Sequence, residues 1–431
     1  MKRSRQKMPP TASAELRIET PLDVEGDQIE FGATLVDADQ PAQRIWFRFP
    51  RSIASLLTRR ADPFVIATAV HALHRFRRLH IHGVVSDGLL ANLTAFHGAF
   101  AAFHHLPAGA SVEYTATTIA EPAGPARRSM GISAFSGGVD SCFSVYAHTS
   151  LSSLEPKRRT GAALMMHGFD IPLDQNDTFA SSVARSKRLT DDAGLRLFTG
   201  VTNLRMLSVP WEQTFAAAVA GSLSFFQPAY TFGLVPSCQE WTQVRLDNGS
   251  NPLTDPLLSS GSFQIVHDGT SFGRIEKLRH LARWPAALRN MRVCWQGDQL
   301  DRNCCRCEKC LRTMLMLDVC GKLPVEAFPL PIEVGAVAAL SLKSQGALDE
   351  FAYVLREAQR LGLQKPWMHP AARMIAKSER HRRLWQQGKS IAQFVPGPVR
   401  SVLRLAGNRW LRRSASARPL VAVERGAGVL R

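Results

Sequence analysis

The sequence predicts an α/β fold built on a parallel sheet covered on both faces, and three observations carry that expectation. Between residues 130 and 266, five short apolar runs alternate with longer helical patterns. The runs are mostly apolar, as strands buried on both faces tend to be. A glycine-rich turn, FSGGVDS at residues 135–141, stands where the first run meets the first helical pattern, and ligands of parallel sheets bind beyond the carboxyl ends of their strands.

Taken in order, the chain divides into an N-terminal α+β block (1–120), a linker (121–129), a central block (130–339) and a helical, basic C-terminal region (340–431). In the first block, strand-like runs cover 28–36 and 44–49, and helical periodicity covers 63–76 and 89–104 with a short strand, 79–84, between them. The linker reads EPAGPARRS, whose Pro and Gly content marks a boundary. The central strands are expected at 130–135, 162–167, 195–201, 230–235 and 263–266, separated by helices that include 139–150, 177–193 and 211–226. Beyond 340, helical patterns cover 348–362 and 370–387. After the Pro396-Gly397-Pro398 break, Val399, Val402, Leu403, Ala406 and Trp410 fall along one helical face. No internal repeat is found.

The uncharged stretch 213–239 is interrupted by Gln227-Pro228 and rich in Ala, Ser and Gly, so it reads as a buried helix followed by a buried strand, not as a membrane span. The basic start, MKRSRQKMPPTASAE, runs into prolines and polar residues where a secretory signal would have an apolar core. The net charge of +17 is concentrated at one end: residues 371–431 hold 14 Lys and Arg against two acids, leaving only +5 on the rest. That region is suited to RNA, a membrane surface or an acidic partner, or to a solvated helical face. Trp385 and Trp410 are its two Trp residues, thin provision for base stacking.

Five of the eight cysteines lie between 294 and 310, a clustering that suits metal binding and a reducing cytoplasm better than a disulfide framework. Cys294, Cys304, Cys307 and Cys310 form a C-x₉-C-x₂-C-x₂-C series, which matches a closed, structural tetrahedral Zn²⁺ site. An iron–sulfur cluster is the competing metal, and Cys305 is an alternative to Cys304 as ligand. Cys142, Cys238 and Cys320 are read as packing residues.

The turn itself has the parts of a phosphate site. Gly137 and Gly138 let the backbone approach an anion and present successive N–H groups. The start of the following helix, at Val139, adds unpaired donors and a positive dipole end. Ser136 and Ser141 contribute hydroxyls, and Asp140 can orient a donor or help to place Mg²⁺. The Walker pattern is absent.

SGGVDS resembles the pyrophosphate-binding loop of the PP-loop ATP pyrophosphatases. Followed by one four-cysteine knuckle, it is similar to the arrangement in 7-cyano-7-deazaguanine synthase and its divergent relatives, over about residues 130–323. The resemblance implies a Rossmann-like sheet of the adenine nucleotide hydrolase type. It also implies an enzyme that uses ATP to adenylate a small-molecule carboxylate, releasing pyrophosphate, before ammonia or an amine displaces AMP. Asp140, Lys277 and Asp170 are its expected catalytic residues, and residues 136–141 its nucleotide loop. The family's second-strand motif, an aspartate followed by Tyr-Gly-Gln, is present only as His167-Gly168-Phe169-Asp170. Neither the first block nor the basic tail has a counterpart there.

Other polar residues follow expected strand ends: Asn203 and Arg205, Ser237 and Gln239, His267-Asp268, and Arg274 three residues before Lys277. A guanidinium there can hold phosphate or carboxylate bidentately, and His267 can act as a base. Two further readings remain: a tRNA-modifying enzyme of the thiolation type that grips RNA with the basic tail, and a non-catalytic nucleotide-binding module.

Overall fold

The computed structural model describes residues 13–107, 109–120, 129–154, 158–294, 296, 299–342 and 344–393, the last nine as backbone alone. The expected linker at 121–129 therefore lies outside the described residues except for Ser129, as does the amphipathic segment after 396.

The first block contributes β1 (Ala14–Ile18), β2 (Leu22–Val24), β3 (Gln28–Asp37), β4 (Gln43–Pro50), α1 (Asp62–Arg75), β5 (Arg78–Ser86), α2 (Asp87–Phe103) and β6 (Glu113–Ile119). The alternating block follows with β7 (Gly131–Ala134), α3 (Val139–Ala147), β8 (Thr160–His167), α4 (Asn176–Asp192), β9 (Arg196–Thr202), α5 (Trp211–Ser224), β10 (Phe232–Pro236) and β11 (Gln264–Asp268). Helices then succeed one another: α6 (Arg274–Leu281), α7 (Pro285–Asn290), α8 (Glu308–Val319), α9 (Val334–Ala339), α10 (Gln345–Arg360) and α11 (Met368–Gln393). The expected central strands and helices are all present, with ends shifted by a few residues. The uncharged stretch is the expected helix and strand, α5 and β10, and no described helix is long and apolar enough to cross a membrane.

All the strands form one sheet, ordered β11-β10-β7-β8-β9-β4-β3-β1-β5-β6, with β2 paired to β3. From β11 to β9 every pairing is parallel. β7 lies between β10 and β8, so the strand order reverses between β7 and β10 and opens a crevice beyond their carboxyl ends. The sheet then continues into the first block through the antiparallel β4–β9 pair, where Phe47 faces Thr202 and Arg48 faces Val201.

Side-chain alternation along each strand feeds two cores. On β8, Ala162, Leu164 and Met166 join the core shared with α1, α2 and α5, whereas Ala163 joins the one filled by α3, α6, α8, α10 and α11. The first core crosses the sequence boundary between blocks. Phe225, just after α5, lies 4.9 Å from Phe47, 5.1 Å from Phe31, 5.2 Å from Phe49 and 5.8 Å from Phe64, ring centre to ring centre. Its backbone carbonyl accepts from Thr58 N at 2.8 Å. Burying each such ring contributes about 1.5–3 kcal/mol.

Candidate functional site

The loop between β7 and α3 is held in shape by its own hydroxyls. Ser141 Oγ donates to Gly138 O at 3.2 Å and accepts from Ser136 N at 3.3 Å, while Gly138 N donates to Ser136 Oγ at 3.4 Å. Gly137 has φ of +74°, a region that other residues enter only with strain. No side-chain hydrogen bond caps α3 at Gly138, and the helix start lines a polar cavity beside the loop. Arg292 braces the loop from the far side: its N–H donates to Gly137 O at 2.8 Å and its guanidinium to Ser136 O at 3.3 Å.

Asp140, in the first turn of α3, points to α6. Its Oδ2 accepts from Arg274 at 2.7 Å and its Oδ1 from Lys277 at 3.2 Å. Burial opposes ionisation of Asp140, but Arg274 and Lys277 outweigh it and bring the carboxyl down to about 2. Lys277 is 1% exposed and also donates to Ser237 O at 2.5 Å, tying the end of β10 to α6. Arg274 reaches on to Glu350 of α10 at 2.7 Å. Its pKa is raised: burial pulls it down, and the carboxylates of Asp140 and Glu350 more than compensate.

Two adjoining cavities open beside the loop and share Ser136, Asp140, Ser141, Asp170 and Arg292. The first, of about 240 Å³, has mostly apolar walls from Met165, Met166, Phe169, Trp211, Phe215 and Leu223. The second, of about 110 Å³, is polar and cationic: Arg274, Arg292, Lys309 and Arg312 line it with the loop. Three helix starts converge there, since Val139 opens α3, Arg274 opens α6, and Lys309 lies in the first turn of α8. Arg292 and Arg312 are 6% and 7% exposed, so their charges act at low dielectric. Together these parts can hold an anion with several oxygens beside an apolar or planar group.

Behind the cationic wall, Cys294, Cys304, Cys307 and Cys310 bring their sulfurs within 4.8 Å of one another. Cys294 Sγ is 3.8 Å from Cys307 Sγ, and Cys304 Sγ is 3.9 Å from Cys310 Sγ. Cys307 N donates to Cys304 Sγ at 3.3 Å. Thiol contacts among Cys294, Cys307 and Cys310 favour a thiolate at Cys294, lowering its pKa and raising those of its neighbours. The group could hold a metal ion such as zinc. Cys305 stands outside it, buried with φ of +57°, its sulfur turned to Asn303 O at 3.7 Å. The four sulfurs thus include Cys304 and not its neighbour.

Of the residues singled out from the sequence, Ser136, Gly138, Val139, Asp140, Ser141, Asp170, Arg274 and Cys294 line the polar cavity, Lys277 reaches it through Asp140, and Gly137 shapes the loop without lining it. Asp170 is exposed at the mouth of both cavities. Other candidates have structural partners. Asn203 accepts from Trp46 N at 2.8 Å and donates to Arg44 O at 3.0 Å, stitching β9 to β4. Arg205 donates to Phe169 O at 2.8 Å and lies over Trp211, bracing the apolar cavity. His267 pairs with Asp255 at 2.7 Å in a buried network that also takes in Ser250. Asp268 accepts from Ser144 and pairs with His148. Cys142 is fully buried and its thiol is pushed up by burial and by Asp140. Cys238, expected to pack, is instead exposed on the loop after β10.

Arg292, Lys309, Arg312 and Glu350 are the site residues that the sequence reading missed. A signal existed for three of them. Arg292 is two residues from Cys294, and Lys309 and Arg312 flank Cys310 at a three-residue spacing that shares a helix face. No protein-family model, curated protein or solved structure matches this chain.

Proposed function

We propose that the protein is an ATP-dependent, AMP- and pyrophosphate-forming enzyme of the PP-loop type that adenylates a carboxylate for attack by ammonia or an amine. The observation that carries this reading is the meeting, around one small cavity, of a glycine loop and four cations, next to an apolar chamber. The nucleoside would lie in the chamber and the β- and γ-phosphates between the loop and Arg274, Arg292, Lys309 and Arg312.

In the first step a substrate carboxylate oxygen attacks the α-phosphorus. The bond from that phosphorus to the bridging oxygen breaks, and pyrophosphate leaves with the electron pair. Fixed donors already aimed at the pyrophosphate stabilise the charge that develops on it. In the second step the amine nitrogen attacks the acyl carbon, AMP departs with the electron pair of the carbon–oxygen bond, and the nitrogen gives up a proton to solvent.

Both oxygens of Asp140 are engaged by Arg274 and Lys277. Its role is therefore to anchor these cations, and Mg²⁺ fits better at Asp170 together with phosphate oxygens. Zn²⁺ fits the four thiolates, where it would fill its coordination with protein and fix the wall that carries Arg292, Lys309 and Arg312.

One observation favours a second reading, sulfur transfer to RNA. Cys238 lies close enough to Asp140, Arg274, Glu350 and Lys277 to feel their charges. Although its surface reaches solvent, loss of solvation on its packed side raises its pKa, with the two carboxylates adding to the rise. A thiol so disposed is a poor nucleophile at neutral pH, which keeps amide-forming chemistry first.

The test is release of AMP and pyrophosphate from ATP by zinc-loaded protein, screened over carboxylates with ammonium, beside Asp140→Ala. Substrate-dependent formation of both products, lost in the variant, supports the proposal. A thiolated RNA product lost in Cys238→Ser would replace it with the second reading. Failure to bind ATP would leave a non-catalytic module.

A further inference from the structure

The C-terminal helical region lies beyond the PP-loop resemblance, yet α10 is fastened to the two helices that carry the cations. Ala347, Phe351, Val354 and Ala358 of α10 are buried in the core shared with α6 and α8. That orientation turns Glu350 and Glu357, two turns apart, to α6, where they pair with Arg274 and Arg279. Lys365 and Trp367, just beyond α10, both bond Asp318 of α8.

Glu350 differs from Glu357 in what it touches. A single oxygen, Oε2, lies 2.7 Å from Arg274 NH1 and 3.0 Å from Arg312 Nε. Arg274 is thereby strung between Asp140 and Glu350, and Arg312 between Glu350 and Glu308, which stands at 3.2 Å. The Arg274 Nε is buried without a hydrogen-bond partner, and the Arg312 Nε meets only the carboxylate of Glu350. Without Glu350, two largely buried guanidiniums would share the wall of one cavity with no anion between them. Like charges in such a place turn apart or draw in water.

Resting on the phosphate-binding reading of the polar cavity, we propose that Glu350 is a positioning residue of the anion site. Its carboxylate holds Arg274 and Arg312 side by side, at the spacing that receives pyrophosphate. The C-terminal helical region is then part of the site's wall, and the catalytic unit extends beyond the stretch that the loop and knuckle define. Glu357 supplies an internal comparison. It ties α10 to α6 in the same way, through Arg279, and also pairs with Arg360 of its own helix, but neither of its partners lines the cavity.

The experiment is a calorimetric titration of the full-length, zinc-loaded chain with inorganic pyrophosphate, with melting temperature measured in parallel. Glu350→Gln is expected to weaken binding at least tenfold. Glu357→Gln is expected to lower the melting temperature and change affinity by less than twofold, which separates positioning from general support. If Glu350→Gln fails to fold, Glu350→Asp decides: its carboxylate is drawn back by one methylene, and a three- to fivefold loss is expected. Wild-type or tighter binding by Glu350→Gln, or unchanged binding by Glu350→Asp, overturns the proposal. A wild-type chain that does not bind pyrophosphate overturns the phosphate reading and this inference with it.

Discussion

Replacing Asp140 by Asn tests the electrostatics at the centre of the site. The substitution keeps shape and hydrogen-bonding capacity but leaves Arg274 and Lys277 facing a neutral group. In the folded chain the Asp140 carboxyl falls from 3.8 to about 2. At 1.36 kcal/mol per pKa unit, the ionised form is worth about 2 kcal/mol more than a neutral one. Asn approximates that neutral form, so urea unfolding at pH 7 should show a loss of about 2 kcal/mol. Breaking a buried ion pair by removing one partner can cost about 3–5 kcal/mol, and the side chain's 20% exposure argues for the lower figure. Because the folded-state pKa is depressed, the stabilisation is complete well above 3.8 and is lost as pH falls through that value to about 2. The gap between wild type and Asp140→Asn should therefore close over the same interval. A stability difference below about 0.5 kcal/mol at pH 7, or a gap independent of pH, would show that the cations do not depend on Asp140.

Three further outcomes are expected. Metal analysis should find one ion per chain in wild type and in Cys305→Ser, and none retained after desalting of Cys310→Ser, because only Cys310 belongs to the sulfur cluster. Chelation should weaken pyrophosphate binding while far-UV circular dichroism changes little, since Lys309 and Arg312 take their place from α8, which begins beside Cys307. His71 and His97 are held neutral, chiefly by burial, with pKa values of about 4. Their contribution is full above the unfolded value of 6.5 and is lost as pH falls to about 4, so urea midpoints should drop across that window and drop less in His71→Phe.

What the sequence made legible was what is local. FSGGVDS announces its turn because two glycines and two serines act on their own backbone, and the cysteine spacing announces a cluster because the ligands lie within 17 residues. The buried strands were visible as apolar runs. β1, β2 and β6 were not, because polar and charged residues of an exposed sheet face interrupt the apolar pattern. α6 is only eight residues long and polar on average, so its periodicity is weak, although Arg274 and Lys277 on it were marked as site candidates. His267 and Asp268 looked functional because a strand end is a good address for a catalytic group. Asp255, 12 residues before His267, and His148, 120 residues before Asp268, claim them for the interior. Glu350 gave no local sign, since its meaning lies in two arginines 76 and 38 positions away.

The same distinction governs where one functional unit ends. Composition and the Pro/Gly segment at 121–129 divide the chain after the first block, but the cohesive surface runs elsewhere. β4 adds to β9, and Phe225 of the alternating block is enclosed by Phe31, Phe47, Phe49 and Phe64 of the first. A fragment beginning at 130 would expose the β9 edge and this aromatic face together, and both invite aggregation. On the other side of the sheet, α10 holds guanidiniums that line the polar cavity with the loop. The glycine loop is therefore braced from both sides in sequence: the first block supports the sheet that presents the loop, and the C-terminal helices support cations beside it. In the proposed phosphate site, donors on both sides must keep their spacing, and on that reading neither flank is an appendage to the loop.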